Sequence, residues 1–340
     1  YGGRLEANLG DLTLGFEAYK RNWDAVNYMG MTPRYVIPNV DTESFGLYGE
    51  YKKNLSDKLR LVAGLRLDTT KTKADSSKAN TGLYNAYKNT TSTSKTDTYP
   101  SGNIQLFYEL QKDTELFVGL GHSVRVPDAQ ERYFALDPTS GPKWVGNPEL
   151  KPSRNTELDL GIKHSTDKAL IKATAFYSFV QDYITVHRQN KLDDFTAPQA
   201  RSYENVDAQF FGGEVDLRLS LTQELFLFGG MSYVQAKKET KPGPPKNINS
   251  SNVAEIPPLK TRLALRYDKG TYFGEVETVL SATQSRVDTD LNEQRTSGYG
   301  VVNVKVGGNF KGFTITAGID NVFDKKYFEH LSYLRNPFAM

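Results

Sequence analysis

The chain has 340 residues, 38% of them apolar, with 42 basic against 40 acidic side chains and a formal charge of +2. That even balance excludes a basic stripe for nucleic acid, and the absence of cysteine excludes disulfide scaffolds, thiol nucleophiles and cysteine-based zinc sites. No stretch approaches the roughly 18 to 20 apolar residues of a membrane helix. The mean hydropathy of −0.54 suits a soluble protein. Membrane β-strands stay equally low on that scale, because only alternate residues meet lipid, so periodicity has to decide.

Taken in chain order, the first strands are joined by the turn Asn8-Leu9-Gly10-Asp11 and followed by a long polar stretch, residues 21–42. The clearest alternation comes after the turn Asn54-Leu55-Ser56-Asp57. Leu59, Leu61, Ala63, Leu65 and Leu67 point one way, and Arg60, Val62, Gly64, Arg66 and Asp68 the other. This is the period of a strand with one face in oil and one in water. Changes at Leu61 or Leu65 to arginine should therefore be costly, and changes at Arg60 or Arg66 mild. A Lys-, Ser-, Thr- and Asn-rich segment, 72–96, has the composition of a solvated loop. The alternation returns at Ile104, Leu106, Tyr108 and Leu110, and again at Leu158, Leu160 and Ile162. Further strands follow at 171–179, 263–267, 302–306 and 313–319.

The pattern predicts about fourteen strands, many of about 9 to 14 residues, long enough for a tilted strand to cross a bilayer. Short turns at 8–11, 54–57, 111–114, 165–167, 221–223, 268–270 and 309–312 take turns with long stretches at 21–42, 72–96, 125–153, 187–207, 238–257 and 286–296. Short connections on one side and long loops on the other describe an outer-membrane up-and-down barrel. Aromatic pairs near strand ends, Tyr48 and Tyr51, Phe107 and Tyr108, Tyr177 and Phe179, Tyr267 and Tyr272, fit interfacial girdles.

Candidate chemistry is sparse. Met29 and Met31 stand at i and i+2 in one long loop; paired thioethers are soft ligands suited to Cu(I), and equally serve as flexible apolar filler. His122, His164, His187 and His330 are scattered without metal-ligand spacing; the bland reading is a solvated histidine at each. His164 abuts a short turn, and the other three lie toward the long loops. Glu275 and Glu277 share a strand face and read as a water-wetted wall rather than as an acid-base pair. No nucleophile elbow, catalytic triad order or phosphate-cradling glycine loop occurs, so an enzyme is not expected.

Several segments resemble the TonB-dependent receptor family, in that family's order. They are His122-Ser123-Val124-Arg125-Val126-Pro127-Asp128, then Gly146-Asn147-Pro148-Glu149-Leu150-Lys151-Pro152 running into 156–163, Tyr203-Glu204-Asn205 with Gly212-Gly213-Glu214-Val215, and 318–327. The loop with Met29 and Met31 and the stretch 284–299 look similar to the copper-receptor branch. The resemblance implies an all-β, transmembrane antiparallel barrel in a bacterial outer membrane. Residues 1–340 would be the C-terminal part of that barrel, about fourteen strands of a 22-stranded whole, with the plug domain and final strand outside this sequence. It implies energy-coupled import of a metal ion or metal chelate, with copper as transported ligand placed first and a ferric siderophore second. The partners would be outer-membrane lipid and the inner-membrane protein TonB acting through the plug. Two rivals remain: a passive porin, which predicts the alternation without these motifs, and a secreted glycan-binding β-protein, which predicts shorter strands and a polar outer face.

Overall fold

A computed structural model of the chain describes residues 1–28, 33–138, 141 and 143–332. The strands are β1 (Gly2–Leu9), β2 (Leu12–Asn27), β3 (Arg34–Ser56), β4 (Leu59–Ala74), β5 (Ser94–Gln111), β6 (Thr114–Arg125), β7 (Ala135–Leu136), β8 (Lys143–Val145), β9 (Ser153–Ser165), β10 (Ala169–Gln189), β11 (Ala200–Ser220), β12 (Leu225–Lys238), β13 (Lys260–Asp268), β14 (Tyr272–Ser281), β15 (Tyr299–Phe310) and β16 (Phe313–Ile319). All sixteen strands of the described residues join one sheet, and all but β7 and β8 follow one another in strand order as a meander from β1 to β16. Fourteen strands therefore carry the up-and-down path, as the alternation predicts. Gly10, Gly270 and Gly312 take φ of 67°, 79° and 86° in the short turns, a conformation that costs glycine nothing.

The pairing register gives every strand the same two faces. Tyr51, Ala63, Ile104, Leu120, Leu158, Tyr177 and Phe211 are successive cross-strand partners from β3 to β11. Leu265, Val276, Val304 and Ile319 continue an apolar row across β13 to β16. Most of these side chains are exposed, Leu120 by 50% and Ile319 by 64%. A continuous exposed apolar surface of this extent marks a membrane or protein contact face. The opposite face carries Glu17, Arg66, Asp68, Glu157, Asp159, Glu214, Asp216, Arg262, Glu277 and Asn303, set by the same registers.

The buried apolar clusters lie elsewhere, among the long connections. Ile37, Val40, Ala74, Leu83, Tyr84, Tyr87, Ala129, Tyr133, Ala135, Val145 and Ala200 form one, and Leu150, Ile184 and Tyr203 another. This corrects the reading of 72–96 as a solvated loop. Its centre folds as helix α1 (Thr81–Lys88), with the Asn80 side chain capping the Leu83 amide and Asn89 closing the helix in the left-handed region. Leu83, Tyr84 and Tyr87 recur along one helix face and bury in the first cluster, the Tyr84 hydroxyl donating to the Tyr133 carbonyl at 2.6 Å. The composition of the flanks hid those apolar side chains. The connection around 242–245 is fastened through backbone bonds between Lys241 and Ile248 and from the Asn190 amide to the Pro245 carbonyl. The stretches 21–42 and 187–207 are likewise shorter as loops than expected, because β2, β3, β10 and β11 run on through them.

Two further expectations change. Tyr48 and Phe107 face inward, under the guanidinium groups of Arg66 and Arg60. Residues an odd number apart on a strand point to opposite faces, so neither 48 and 51 nor 107 and 108 can both join a girdle. Arg66, moreover, is no mild position. It donates to Asp68 at 2.7 Å through both Nε and Nη2 and to Glu17 at 3.0 Å, and removing it would strand the buried Asp68 carboxylate.

Candidate functional site

The candidate site is the inward wall together with the crown of folded connections above it. Along β11 to β15 the wall encloses a concavity of about 610 Å³ lined by Glu214, Asp216, Lys260, Arg262, Asn303 and Asp320, among others. Glu277 pairs with Arg262 and accepts from Asn303 at 2.9 Å, and Glu275 faces Arg266 at 3.5 Å. Both carboxylates are thus held by cations, the arrangement of a polar wall rather than of an acid-base pair. A second concavity of about 360 Å³ lies beneath the crown, where Arg125, Asn155 and Ser178 meet the edge-to-face rings of Tyr183 and Phe210.

The crown is organised by the motifs singled out in the sequence. Arg125 clamps Glu131 with two bonds of 2.8 and 2.9 Å. Glu131 and Asp128 form a reciprocal capping box on helix α2 (Ala129–Tyr133). Gly146 passes so close to α2 that a Cβ there would lie 2.6 Å from the Arg132 carbonyl. Beside it the Asn147 side chain donates to the Tyr203 carbonyl at 3.1 Å, while Asn205 receives the Lys151 amide and donates to the Lys151 and Asp182 carbonyls. Leu150 is fully buried beneath them. The Asn-Pro-x-Leu-x-Pro and Tyr-Glu-Asn segments are therefore two halves of one clamp that ties the crown to the rim of the sheet.

Sequence reasoning missed the buried charges. Arg132, fully buried, pairs with Asp97 at 2.6 Å. Lys238 and Asp288, 1% and 0% exposed, meet at 2.5 Å, and Lys238 also donates to Thr185 at 3.0 Å. A lysine closing a strand and an aspartate in a polar loop look solvated in sequence, and only the register brings them together. The histidine expectations are corrected in the same way. His187 and His330 are buried, not solvated; His330 contacts Glu293 and Thr296 at 3.1 Å each. His122 lies on the outward apolar face, paired with Thr156 at 2.9 Å, which takes it out of the lumen. His164 sits at the short-turn end beside Thr114. Met29 and Met31 lie outside the described residues. Among those described, no group of three or more His, Cys, Asp or Glu residues is arranged to hold a metal.

His187 gives the crown a pH response. Its Nδ1 lies 2.5 Å from the Lys246 carbonyl, and Lys88 stands 3.4 Å from Nε2. Lys246 bonds Glu204 at 2.6 Å and Lys88 reaches the same carboxylate at 3.6 Å. Burial, and then the Lys88 charge, hold the imidazole well below its ordinary range, and burial lowers Lys88 to about 8. His187 is neutral in the closed crown and free to take a proton once it opens. Its contribution to closure is therefore intact above about pH 6.5 and lost progressively below it. Hydrogen-exchange protection factors in 81–88 and 239–259, corrected for the intrinsic slowing of amide exchange toward acid pH, should fall between pH 7.5 and pH 5, and His187→Gln should flatten that response; an unchanged slope in the variant would contradict it.

Comparison with known proteins follows this geometry. Residues 1–322 match the family model described as TonB dependent receptor-like, beta-barrel. Among solved structures, the copper transporter OprC superposes with a TM-score of 0.78 at 27% identity, over 97% of this chain and 51% of that one. The FrpB iron transporter from Neisseria meningitidis superposes at 0.68 with 12% identity, over 98% and 52%. The ferric yersiniabactin uptake receptor FyuA from Yersinia pestis gives 0.63 with 14% identity, over 98% and 49%. These last two likenesses show the fold. A TonB-dependent heme receptor A from Haemophilus influenzae is 30% identical over 126 residues, which are 33% of this chain and 17% of that protein. The chain thus spans about half the length of the solved structures it matches. With the family model matching nearly end to end and the fold agreeing, the chain belongs to the TonB-dependent receptor-like β-barrel family, a family of receptors and transporters rather than enzymes.

Proposed function

We propose that the chain is the larger, C-terminal part of the barrel of an outer-membrane receptor that imports a metal ion or metal chelate. A plug domain and TonB would supply the energy coupling. The observation that carries the copper reading is the likeness to the copper transporter, at 27% identity and a TM-score of 0.78 over nearly the whole chain, against 12% and 14% identity to the two iron receptors. Met29 and Met31 add soft donors of the kind Cu(I) prefers. Two thioethers make an incomplete site, so the remaining ligands would come from the plug or from other loops. The second reading is a ferric-siderophore or heme receptor, favoured by the charged inward wall and by the partial heme-receptor match.

The test is an uptake assay in cells carrying the full-length receptor, wild type against Met29→Ala/Met31→Ala, with copper and ferric chelates supplied separately. We expect copper uptake to fall at least about tenfold, as the loss of soft ligands from a soft-metal site implies, while ferric-chelate uptake stays unchanged. Unchanged copper uptake alongside measurable ferric-chelate uptake would overturn the copper reading and leave the siderophore reading.

A further inference from the structure

The outward face of the barrel is not uniform. Over β3 to β6 it sinks into an apolar groove of about 740 Å³, with Ala63, Leu65, Ile104 and Leu120 as its sides and Gly49 and Gly102 as its floor. The glycines are the direct cross-strand neighbours of Leu65, so nothing covers that side chain from left or right, and its exposure reaches 79%. At the upper edge of the groove stands the His122–Thr156 pair, the first outward polar groups on β6 and β9 above Leu120 and Leu158.

Above the groove the same outward row of β4 continues as Thr69, Lys71 and Lys73. Both lysines are exposed, and among the described residues neither side chain is held in a hydrogen bond or close ion pair, Lys73 acting on the Asp41 carboxylate opposite it only at longer range. The carboxylates opposite them on β3, Glu43 and Asp41, are already engaged: Lys20 reaches them at 2.7 and 3.4 Å, and Asn22 donates to Asp41 at 2.8 Å. On the other side, Ser94 and Thr96 are exposed, as is Thr98, whose hydroxyl shares a 3.0 Å hydrogen bond with that of Thr69. From Leu65 to Lys71 the strand climbs about 20 Å along its own axis. At the 35–45° tilt of such barrels this is roughly 15 Å along the membrane normal, half of the roughly 30 Å hydrocarbon core. The distance from the lysines to the groove is thus one leaflet deep.

We propose that this face binds one phosphorylated glycolipid of the outer leaflet. An acyl chain lies in the groove beside Leu65, a phosphate sits on Lys71 and Lys73, and sugar hydroxyls meet Ser94, Thr96 and Thr98. The depth match selects a lipid over a protein partner, because a tail starting at the lysines ends where the groove does. The exposed hydroxyl row selects a sugar headgroup over a bare phosphodiester. This inference rests on the reading of the chain as an outer-membrane barrel.

The test is native mass spectrometry of the full-length receptor in detergent, titrated with lipid A, with phosphatidylglycerol and with phosphatidylethanolamine. Wild type should retain lipid A in preference to both phospholipids. Lys71→Gln/Lys73→Gln should weaken lipid A binding about thirtyfold, the effect of two lysines at an anionic surface, and leave phosphatidylethanolamine unchanged. Ala63→Phe, an outward substitution that fills the groove, should weaken all three. Lipid A retained equally by both variants would overturn the site, and phosphatidylglycerol bound as tightly as lipid A would overturn the sugar contact. A folded receptor that carried neither a detergent belt nor any lipid adduct would overturn the membrane reading itself.

Discussion

Asp288→Ala destabilises the closed crown by about 3 to 5 kcal/mol, because it leaves the Lys238 ammonium buried without a counter-ion. Lys238 projects from the end of β12, 1% exposed, and its neighbours are Thr185 of β10 and Asp288 of the 282–298 connection. The reverse change, Lys238→Ala, should cost less at acid pH than at neutral pH. Burial already pushes the Asp288 carboxyl above the usual carboxylate range, against the pull of Lys238. Once the lysine is gone, that carboxyl can take up a proton and shed its charge. Lys238→Met/Asp288→Asn should recover most of the loss, since an uncharged pair of similar volume needs no counter-ion. Hydrogen exchange across 282–298 in the full-length receptor reads the opening free energy directly. Equal exchange in wild type and Asp288→Ala would show that the pair does not hold the crown.

The second large effect lies in the membrane. Leu65→Arg should lower barrel stability by about 2 to 4 kcal/mol, the cost of a guanidinium on the lipid face near mid-plane. Leu65 is the most exposed side chain of its row and is flanked by Gly49 and Gly102, so neither cross-strand neighbour can shelter the charge. Arg60→Gln, on the inward face beside Phe107 and partly exposed, should change stability by less than about 0.5 kcal/mol, as surface changes do. Urea unfolding of the receptor in lipid bilayers separates the two. Similar losses at both positions would mean that the apolar row does not face lipid.

What could be read from the sequence follows from period. Alternation at 59–68 fixes two faces, and the short turns at 54–57, 111–114 and 309–312 fix the order of the strands; the structure repeats both. The crown escaped for a different reason. Tyr84 and Tyr87 lie in a segment dominated by Ser, Thr, Asn and Lys, and their burial depends on α2 and β8, more than 40 positions away. Buried charges such as Lys238 and Asp288 have no local signal at all, because each looks solvated until register unites them. Gly146, Asn147 and Asn205 stood out by resemblance, and the structure supplies the reason as a clamp of backbone and amide bonds. Paired aromatics at strand ends misled, since parity along a strand sends one of each odd-spaced pair inward.

The apolar row as the lipid face is the claim on which the rest depends. These 340 residues hold no cysteine; with any cysteine elsewhere in the full-length receptor replaced by serine, single cysteines placed at each position from 59 to 68 can carry a nitroxide spin label in bilayers. The expected result is a two-residue oscillation, in which labels at 59, 61, 63, 65 and 67 collide with oxygen dissolved in the lipid and those at 60, 62, 64, 66 and 68 with a water-soluble nickel chelate. Uniform water accessibility, or an oscillation of the opposite phase, would contradict a membrane barrel with this register.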